Sequence, residues 1–184
     1  MRGSSGSFGI VTSIQVETFA APPSATIFQY NWDLSAADAA SAIAQFQDWV
    51  LTDIPQEFGA ELVLGRGSSR GRVSFGLTGG WYASADQFDN VIAPLLSNLP
   101  TPSSQSITPG TYIDSVQNLG GLGRLSTTGV PDSHDTFYAK SLMTPEASPM
   151  SSAALNAFMS YLGEAGFTAN TVRLIHKKNA IYIL

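Results

Sequence analysis

The sequence lacks cysteine, has two histidines, and is poor in charged residues, which make up 12% of its 184 positions. Without cysteine there is no disulfide, no thiol nucleophile and no cysteine-ligated zinc or iron–sulfur centre. His134 and His176 lie in different segments and neither has a second histidine four residues away, so the pattern does not predict a metal site. No apolar run reaches the length of about 18 residues that a membrane-spanning helix needs.

The charge that is present is mainly acidic, with 14 Asp and Glu against 9 Lys and Arg and a net charge of −5. This balance argues against a phosphate backbone as a partner, so no nucleic acid is expected. With 43% apolar residues, the chain can bury one sizeable core without metal or disulfide. The first seven residues are rich in Gly and Ser and lack the apolar stretch of a secretion signal.

The hydrophobic pattern predicts strands and helices in alternation. Period-two alternation predicts strands at residues 10–20 and 25–32, and the spacing after Ser35 predicts a helix over 36–52. Residues 62–64 and 73–77 predict a hairpin around a glycine-rich loop.

The second half of the chain is predicted to contain two more helices and one strand. Ser84 with Gln87 resembles a helix cap, and Pro94 should kink or end the helix that follows. Residues 97–111 and 118–133 are predicted loops, 134–142 a strand, and 152–162 the last helix. The order predicts an α+β fold in which helices cover one face of an antiparallel sheet.

Two glycine-rich segments are candidate anion sites. The loop Gly65–Gly71 resembles a dinucleotide fingerprint, but Arg70 displaces its third glycine, which favours a mobile hairpin tip made soluble by arginines. The turn Gly6–Gly9 has backbone N–H groups free to approach an anionic group such as a pyrophosphate.

Polar and aromatic side chains offer weaker candidates. Tyr138 and Lys140 share one face of the predicted strand, where they could orient a polar ligand or simply face solvent. His134 and Asp135 would point to opposite faces, so a strand-entry turn is favoured over an acid/base pair. The tryptophans could stack on sugar rings, although packing is their commoner role.

Three segments carry a family resemblance: GSFGIVTSIQVETF at 6–19, FQYNW at 28–32 and SHDTFYAKSLMTPE at 133–146. They are similar to the FAD-linked oxidases of the berberine-bridge-enzyme group, particularly the fungal glucooligosaccharide and chitooligosaccharide oxidases. The resemblance covers roughly residues 1–172. It implies the substrate domain of a vanillyl-alcohol-oxidase-type flavoprotein from a secreted family, which oxidises a sugar's anomeric hydroxyl to a lactone and reduces oxygen to hydrogen peroxide.

The resemblance also assigns residues. It implies FAD contacts by residues at the start of the chain and saccharide contacts by three residues of the sheet. The FAD-contacting set is Gly6, Ser7, Phe8, Gly9, Ile10 and Val11, and the substrate-contacting set is Thr78, Tyr138 and Lys140. It places Thr78 and Pro131 where the glucooligosaccharide oxidases have an acidic and an aromatic contact, so the substrate stays open.

The departures from the family lead to a domain hypothesis. Residues 1–11 would be a remnant of the FAD domain, 12–172 the substrate domain, and 173–184 an atypical tail, either a native closing strand or an out-of-frame segment. The FAD-anchoring histidine and cysteine and the catalytic tyrosine of the family have no counterpart here. We therefore expect a fragment that alone holds no FAD and is inactive, with no catalytic residue and no metal. The alternative is a non-catalytic module that binds a saccharide or a protein.

Overall fold

The computed structural model describes residues 10, 12–121, 142–145, 148–164, 172–177 and 180–183. Besides a short 3-10 turn at Ala85–Gln87, they form seven strands and four helices. In chain order these are β1 (Ala25–Ser35), α1 (Ala36–Val50), β2 (Phe58–Arg66), β3 (Arg72–Trp81), α2 (Phe88–Leu96), β4 (Ser104–Gly110), α3 (Tyr112–Leu119), β5 (Leu142–Pro145), α4 (Ser152–Gly163), β6 (Val172–Lys177) and β7 (Ala180–Ile183).

The described strands form one sheet in the order β4-β1-β3-β2-β6-β7-β5, and every neighbouring pair runs antiparallel. The predicted α+β class with an antiparallel sheet is confirmed. The predicted strand at 25–32, the hairpin and the helices at 36–52 and 152–162 are also confirmed, with shifts of a few residues at their ends. The predicted strand at 134–142 lies outside the described residues except for Leu142, which begins β5.

The alternation of strand β1 decides which face of the sheet is buried. Phe28, Tyr30, Trp32 and Leu34 are buried, whereas the residues between them are exposed or half-buried. Successive side chains of a strand point to opposite faces. We call the side on which these four residues lie the covered face, because α1, α2 and α4 pack against it.

Helix α1 begins at a serine cap and buries one apolar stripe. The Ser35 Oγ accepts a hydrogen bond from the Asp38 N–H at 3.1 Å, which satisfies an otherwise unpaired donor of the first turn. The stripe includes Ile43 and Phe46, which are fully buried. Gln47 is also buried, and its side chain exchanges two hydrogen bonds with the backbone of Met150, at 3.2 and 3.1 Å, which ties α1 to the segment before α4.

Helix α3 departs from the predicted one-sided arrangement. Its residue Leu119 lines a cavity together with Thr78 and Glu61, which point away from the covered face. The helix therefore lies over the opposite face at its β4 end, where it contacts β1. The prediction that the helices lie on one face is correct for α1, α2 and α4 and wrong for α3.

The predicted loop at 97–111 was wrong, because residues Ser104–Gly110 form strand β4 and pair with β1. The strand is exposed at nearly every position, so it has no buried face to leave a period-two signal. Its main-chain hydrogen bonds to β1 hold it, and a sequence pattern does not record those bonds. Thr111 and Asp114 then form a capping box that begins α3.

The predicted strand at 10–20 was also wrong. Residues 12–20 have no regular secondary structure and pair with no described strand. Ile14, Val16 and Phe19 are 79%, 69% and 87% exposed. Alternation shows only that a segment could lie on a sheet, and pairing requires a free strand edge at the right place.

The start and the end of helix α2 differ from the sequence prediction. The Ser84 side chain makes no hydrogen bond to a helix N–H and instead contacts Asp86. The helix continues two residues past Pro94 to Leu96. The Pro94 carbonyl accepts hydrogen bonds from Ser97 Oγ at 3.1 Å and Asn98 Nδ2 at 2.9 Å, so side chains stabilise the helix end that the proline was expected to disrupt.

Candidate functional site: the open face of the sheet

The face of the sheet opposite the covered face is polar and rich in small residues. We call it the open face and define it by residues of β1 to β4 that share rows in the strand register. They are Gln29, Asn31, Asp33, Gly59, Glu61, Val63, Ser74, Gly76, Thr78, Gly80, Ser104 and Ser106. Among the described helices, only α3 lies over this face, and it does so at one end, so no other described helix covers the remaining side chains.

Hydrogen bonds between side chains orient the amides on this face. The Gln29 amide donates to Asn31 Oδ1 at 3.2 Å, and the Asn31 amide donates to Ser104 Oγ at 3.1 Å. The Ser103 N–H also donates to the Asn31 carbonyl at 2.8 Å, which fixes the backbone beside this chain of amides. The arrangement presents amide and hydroxyl groups, which pair well with the hydroxyl groups of a polar ligand.

A cavity of about 340 Å³ lies at the covered end of the open face, and we call it the sheet cavity. Glu61 and Thr78 are register partners on β2 and β3 and supply its polar side chains. The Thr78 hydroxyl is held by a hydrogen bond to the Phe28 carbonyl at 3.3 Å. Besides these two, the described lining residues are Gly59, Ala60, Gly79, Gly80, Tyr82 and Leu119.

Two glycine residues in β3 let other groups approach the backbone closely at the sheet cavity. A Cβ on Gly80 would lie 3.0 Å from three atoms of the Tyr82 ring, so the ring lies against the bare backbone. A Cβ on Gly79 would overlap the Gly59 carbonyl and approach Phe28 Cζ to 2.7 Å. Glycine at both positions therefore permits close approach, one for the ring and one for the neighbouring strand.

A second cavity of about 720 Å³ lies beside the first and shares the Tyr82 ring with it. Tyr82 and Tyr112 lie with ring centroids 6.1 Å apart and tilted by 57°. The rest of the lining comes from residues 17–22 and from Gln56 and Glu57. Tyr82 is thus positioned to respond to a ligand in either cavity.

The other end of the open face is closed by an ion pair and a hydrogen-bonded loop. Asp33 accepts hydrogen bonds from the Ser68 hydroxyl and N–H, at 2.7 and 3.0 Å, and from Arg72 Nε at 3.0 Å. The Ser68 hydrogen bonds, and then Arg72, lower the pKa of the Asp33 carboxyl group.

The amides of the glycine-rich loop are also occupied. The N–H of Gly67 donates to the Arg72 carbonyl, and that of Gly71 to the Gly163 carbonyl, at 2.9 and 2.8 Å. The Gly71 carbonyl in turn accepts from the Ala36 N–H. These paired donors are not available to a dinucleotide phosphate, and the hydrogen bonds of Gly71 anchor the loop to two helices.

Of the sequence-predicted site residues, Thr78 lies in the sheet cavity. Ile10, predicted to contact FAD, is 90% exposed. The other predicted site residues lie outside the described part: Gly6, Ser7, Phe8, Gly9, Val11, Tyr138 and Lys140.

Sequence reasoning missed Glu61, Tyr82 and the amide chain at Gln29 and Asn31. Gln29 and Asn31 lie on a predicted strand, whereas Glu61 and Tyr82 lie outside the predicted runs 62–64 and 73–77. The meeting of all four depends on the register between strands. The Gly79–Gly80 pair ahead of Trp81 and Tyr82 was the available signal, because adjacent glycines in a strand suggest close backbone approach.

Two negative findings apply to the described part of the chain. Its acidic and histidine side chains form no group of three that could hold a metal ion. Among the same residues, every helix is too short or too polar to cross a membrane.

Similarity to solved structures supports the fold class. No protein-family model matches the chain. A solved Acremonium strictum glucooligosaccharide oxidase superposes with a TM-score of 0.71 over 90% of this chain and 39% of its own, at 17% identity. The Physcomitrella patens BBE-like 1 structure gives a TM-score of 0.70 over 90% of this chain and 38% of its own, at 18% identity.

Curated proteins give the same resemblance in sequence. The chain is 29% identical over 153 residues to a xylooligosaccharide oxidase of Thermothelomyces thermophilus, matching 81% of this chain and 29% of that protein. It is 24% identical over 162 residues to a glucooligosaccharide oxidase of Sarocladium strictum, matching 88% and 31%. The resemblance to the FAD-linked oligosaccharide oxidases of the berberine-bridge-enzyme group is confirmed, and the matched segment is about a third of these relatives' length.

The relatives also connect the resemblance to a flavin. One solved glucooligosaccharide oxidase carries a 6-S-cysteinyl, 8α-N1-histidyl FAD. This chain contains no cysteine, so the cysteinyl half of such a linkage has no counterpart in it.

Proposed function

We propose that the chain is the substrate-domain portion of an FAD-dependent carbohydrate oxidase, with an oligosaccharide bound on the open face. In this proposal residues 12–172 are the substrate domain, and residues 1–11 belong to the FAD domain, with residues 6–11 in contact with FAD. Residues 173–184 are the atypical tail, which supplies most of β6 and all of β7. The observation that carries the proposal is the sheet cavity, because it joins a polar, partly uncovered sheet face to an aromatic ring. Sugar sites combine such hydroxyl-binding groups with an aromatic face.

The described residues can be given roles in holding a sugar. Gln29 and Asn31 present amides, and Thr78 an oxygen already oriented by its bond to Phe28. The Tyr82 ring supplies an apolar face for the C–H side of a pyranose. Tyr138 and Lys140 are proposed to complete the polar contacts.

The reaction proposed for the whole enzyme removes two electrons and two protons from the anomeric hydroxyl, forming a lactone, and reduces oxygen to hydrogen peroxide. FAD would supply the electron transfer from a separate domain. We assign no catalytic residue to this chain, and we expect it to be inactive alone because flavin chemistry needs the flavin's own site.

Saccharide titration followed by amide NMR tests the proposal. Cellotetraose, xylotetraose and chitotetraose should each be titrated into the isotope-labelled chain. We expect shifts concentrated at Gln29, Asn31, Thr78 and Tyr82. Shifts confined to the helices of the covered face, or binding of no saccharide, would overturn the proposed site.

A flavin experiment tests the second half of the proposal. After incubation with FAD and removal of free cofactor, the chain should be colourless and should form no peroxide from the same sugars. A yellow, peroxide-forming chain would contradict the expected inactivity.

The Thr78→Val variant tests the proposed site in the sugar titration, because it removes one proposed hydroxyl contact while preserving shape.

Exposed apolar side chains favour one alternative, a protein-binding module. Ile10, Phe19 and Ile113 are 90%, 87% and 49% exposed, and Val116 on the same helix as Ile113 is 37% exposed. Surfaces of this kind mark interaction sites. Sedimentation of the purified chain, with and without saccharide, separates the two functions, because a monodisperse chain that binds sugar supports the carbohydrate role.

A further inference from the structure

Glu61 is the one carboxylate among the described residues that line the sheet cavity. It lies near the middle of β2 and is half-buried. It makes no hydrogen bond or ion pair with any residue of the described part of the chain. A partly desolvated carboxylate without a partner favours any ligand that brings a hydrogen-bond donor to it.

Positive charge on the described side chains is concentrated at the far end of the same hairpin. Arg66, Arg70 and Arg72 lie around its loop. Arg66 is five residues along β2 from Glu61, which corresponds to about 16 Å in a strand. In the neighbouring strand β6, the uncharged Ile175 is the register partner of Glu61, and Arg173 lies two positions away.

We propose that Glu61 determines which charge a saccharide may carry in the sheet cavity. Neutral and amino sugars are accepted, and sugars bearing a carboxylate are rejected. This inference rests on the proposed function, because it assumes that a saccharide occupies the cavity. Glu61 acts in binding and takes no part in the oxidation.

The selection follows from the interactions open to a carboxylate. It accepts two hydrogen bonds from neighbouring hydroxyls of a neutral sugar, and it forms a charge-assisted pair with the ammonium of an amino sugar. A uronate would instead place two negative charges in one partly enclosed space, where solvent screens them less than in bulk water. Thr78, beside Glu61 in the register, donates its proton to the Phe28 carbonyl, so its oxygen can accept a hydrogen bond from a sugar hydroxyl but carries no charge.

Three matched tetrasaccharides test the proposal by calorimetric titration of the full chain. They are cellotetraose, the fully deacetylated chitosan tetramer, and cellotetraose oxidised to carboxylates at C6. At a pH where the amines are protonated, we expect the amino sugar to bind about fivefold more tightly than cellotetraose and the uronate about fivefold more weakly. Both ratios should shrink as salt is raised.

The Glu61→Gln variant should bring both ratios to within about twofold, while cellotetraose affinity changes little. The Asp48→Asn variant removes a carboxylate from an exposed position of α1, on the covered side, and should leave the ratios as in the parent. If Glu61→Gln keeps the parent's order of affinities for the three tetrasaccharides while cellotetraose still binds, the proposed role of Glu61 is wrong and the proposed function survives. If no tetrasaccharide binds the parent chain, the proposed role of Glu61 and the proposed function are both wrong. Circular dichroism of each variant shows that the fold is retained.

Discussion

The covered and open faces of the sheet are built from the same strands but differ in their side chains, which are packed aromatic rings on one face and hydrogen-bonding groups on the other. On the covered face, Phe28 stacks 5.3 Å from Phe58 and lies 5.0 Å from Phe88, and none of these rings is more than 7% exposed. On the open face, one position along β1, Gln29 is exposed and hydrogen-bonds to Asn31. The stabilising contacts and the ligand-binding groups are therefore separated by a single residue step, and substitutions should separate stability from binding in the same way.

Phe28→Ala should cause the largest loss. Removing a fully buried ring leaves a cavity among Tyr30, Phe58 and Phe88, at a cost of about 3–5 kcal/mol in the free energy of unfolding. Urea denaturation measures it. Ile107→Ala is the control, because Ile107 is the register partner of Phe28 but is 40% exposed, and it should cost under about 1 kcal/mol. Equal losses would mean that edge strand β4 is packed as tightly as the core.

Gly79→Ala should cost about 2–3 kcal/mol, because the new methyl group meets the Gly59 carbonyl and the Phe28 ring, which cannot both move away. Gly80→Ala should cost under about 1 kcal/mol, since only the Tyr82 ring stands in the way and a side chain can rotate. Thermal unfolding of the pair measures the difference. A larger loss for Gly80→Ala would show that the Tyr82 ring is fixed in place.

Thr26→Val should raise the free energy of unfolding by about 1 kcal/mol. Thr26 is 1% exposed on the covered face, and its hydroxyl has no hydrogen-bond partner in the structure. Thr78→Val on the open face removes a hydroxyl that does have a partner and should lower the free energy of unfolding slightly. Chemical denaturation of both variants tests the opposite signs, and a loss for Thr26→Val would contradict the unpaired hydroxyl.

Asp33→Asn should lower the free energy of unfolding at neutral pH by up to about 1 kcal/mol, a modest effect because the side chain is 34% exposed. The pKa of Asp33 is lower in the folded state than in the unfolded chain, so its stabilisation is complete above the unfolded pKa. It is lost as the pH falls through the folded value. Across that acidic range, the free energy of unfolding should vary less with pH in Asp33→Asn than in the parent chain. An unchanged pH dependence would show that the Ser68 hydrogen bonds are not what stabilises the Asp33 carboxylate.

Gln29→Ala should change the free energy of unfolding least, by less than about 0.5 kcal/mol, because the side chain is exposed. Saccharide affinity should fall, since Asn31 loses the partner of its carbonyl oxygen and its amide is less well oriented. Parallel denaturation and titration measure the two effects. If Gln29→Ala lowered the free energy of unfolding more than Asp33→Asn does, exposed side chains of the open face would also stabilise the fold. The proposed separation of stability and binding between the two faces would then be wrong.

The sequence predicted those parts of the fold that bury an apolar face. The alternation from Phe28 to Trp32 and the stripe of α1 through Ile43 and Phe46 are direct records of burial, and both were placed correctly. Strand β4 was missed because its exposed serines and threonine leave no such record. The segment 10–20 was misassigned for the opposite reason, since its alternation is clear but no described strand pairs with it.

The candidate site was less predictable because it depends on register. Thr78 came from a family resemblance, whereas Glu61 is 17 positions earlier in the chain and meets it only through the pairing of β2 and β3. Tyr82 reaches the cavity because Gly80 lacks a side chain. These are relations between strands, and the pattern within each strand is compatible with several registers.

The placement of arginines at the loop of the β2–β3 hairpin and of Glu57 and Glu61 near its other end gives this hairpin an electric dipole. Among the described side chains, positive charge lies only at this loop, so on a negatively charged support the hairpin should adsorb through its arginine loop, with the sheet cavity turned towards the solution. Oriented immobilisation of this kind would let saccharide binding be followed at a surface without a covalent tag.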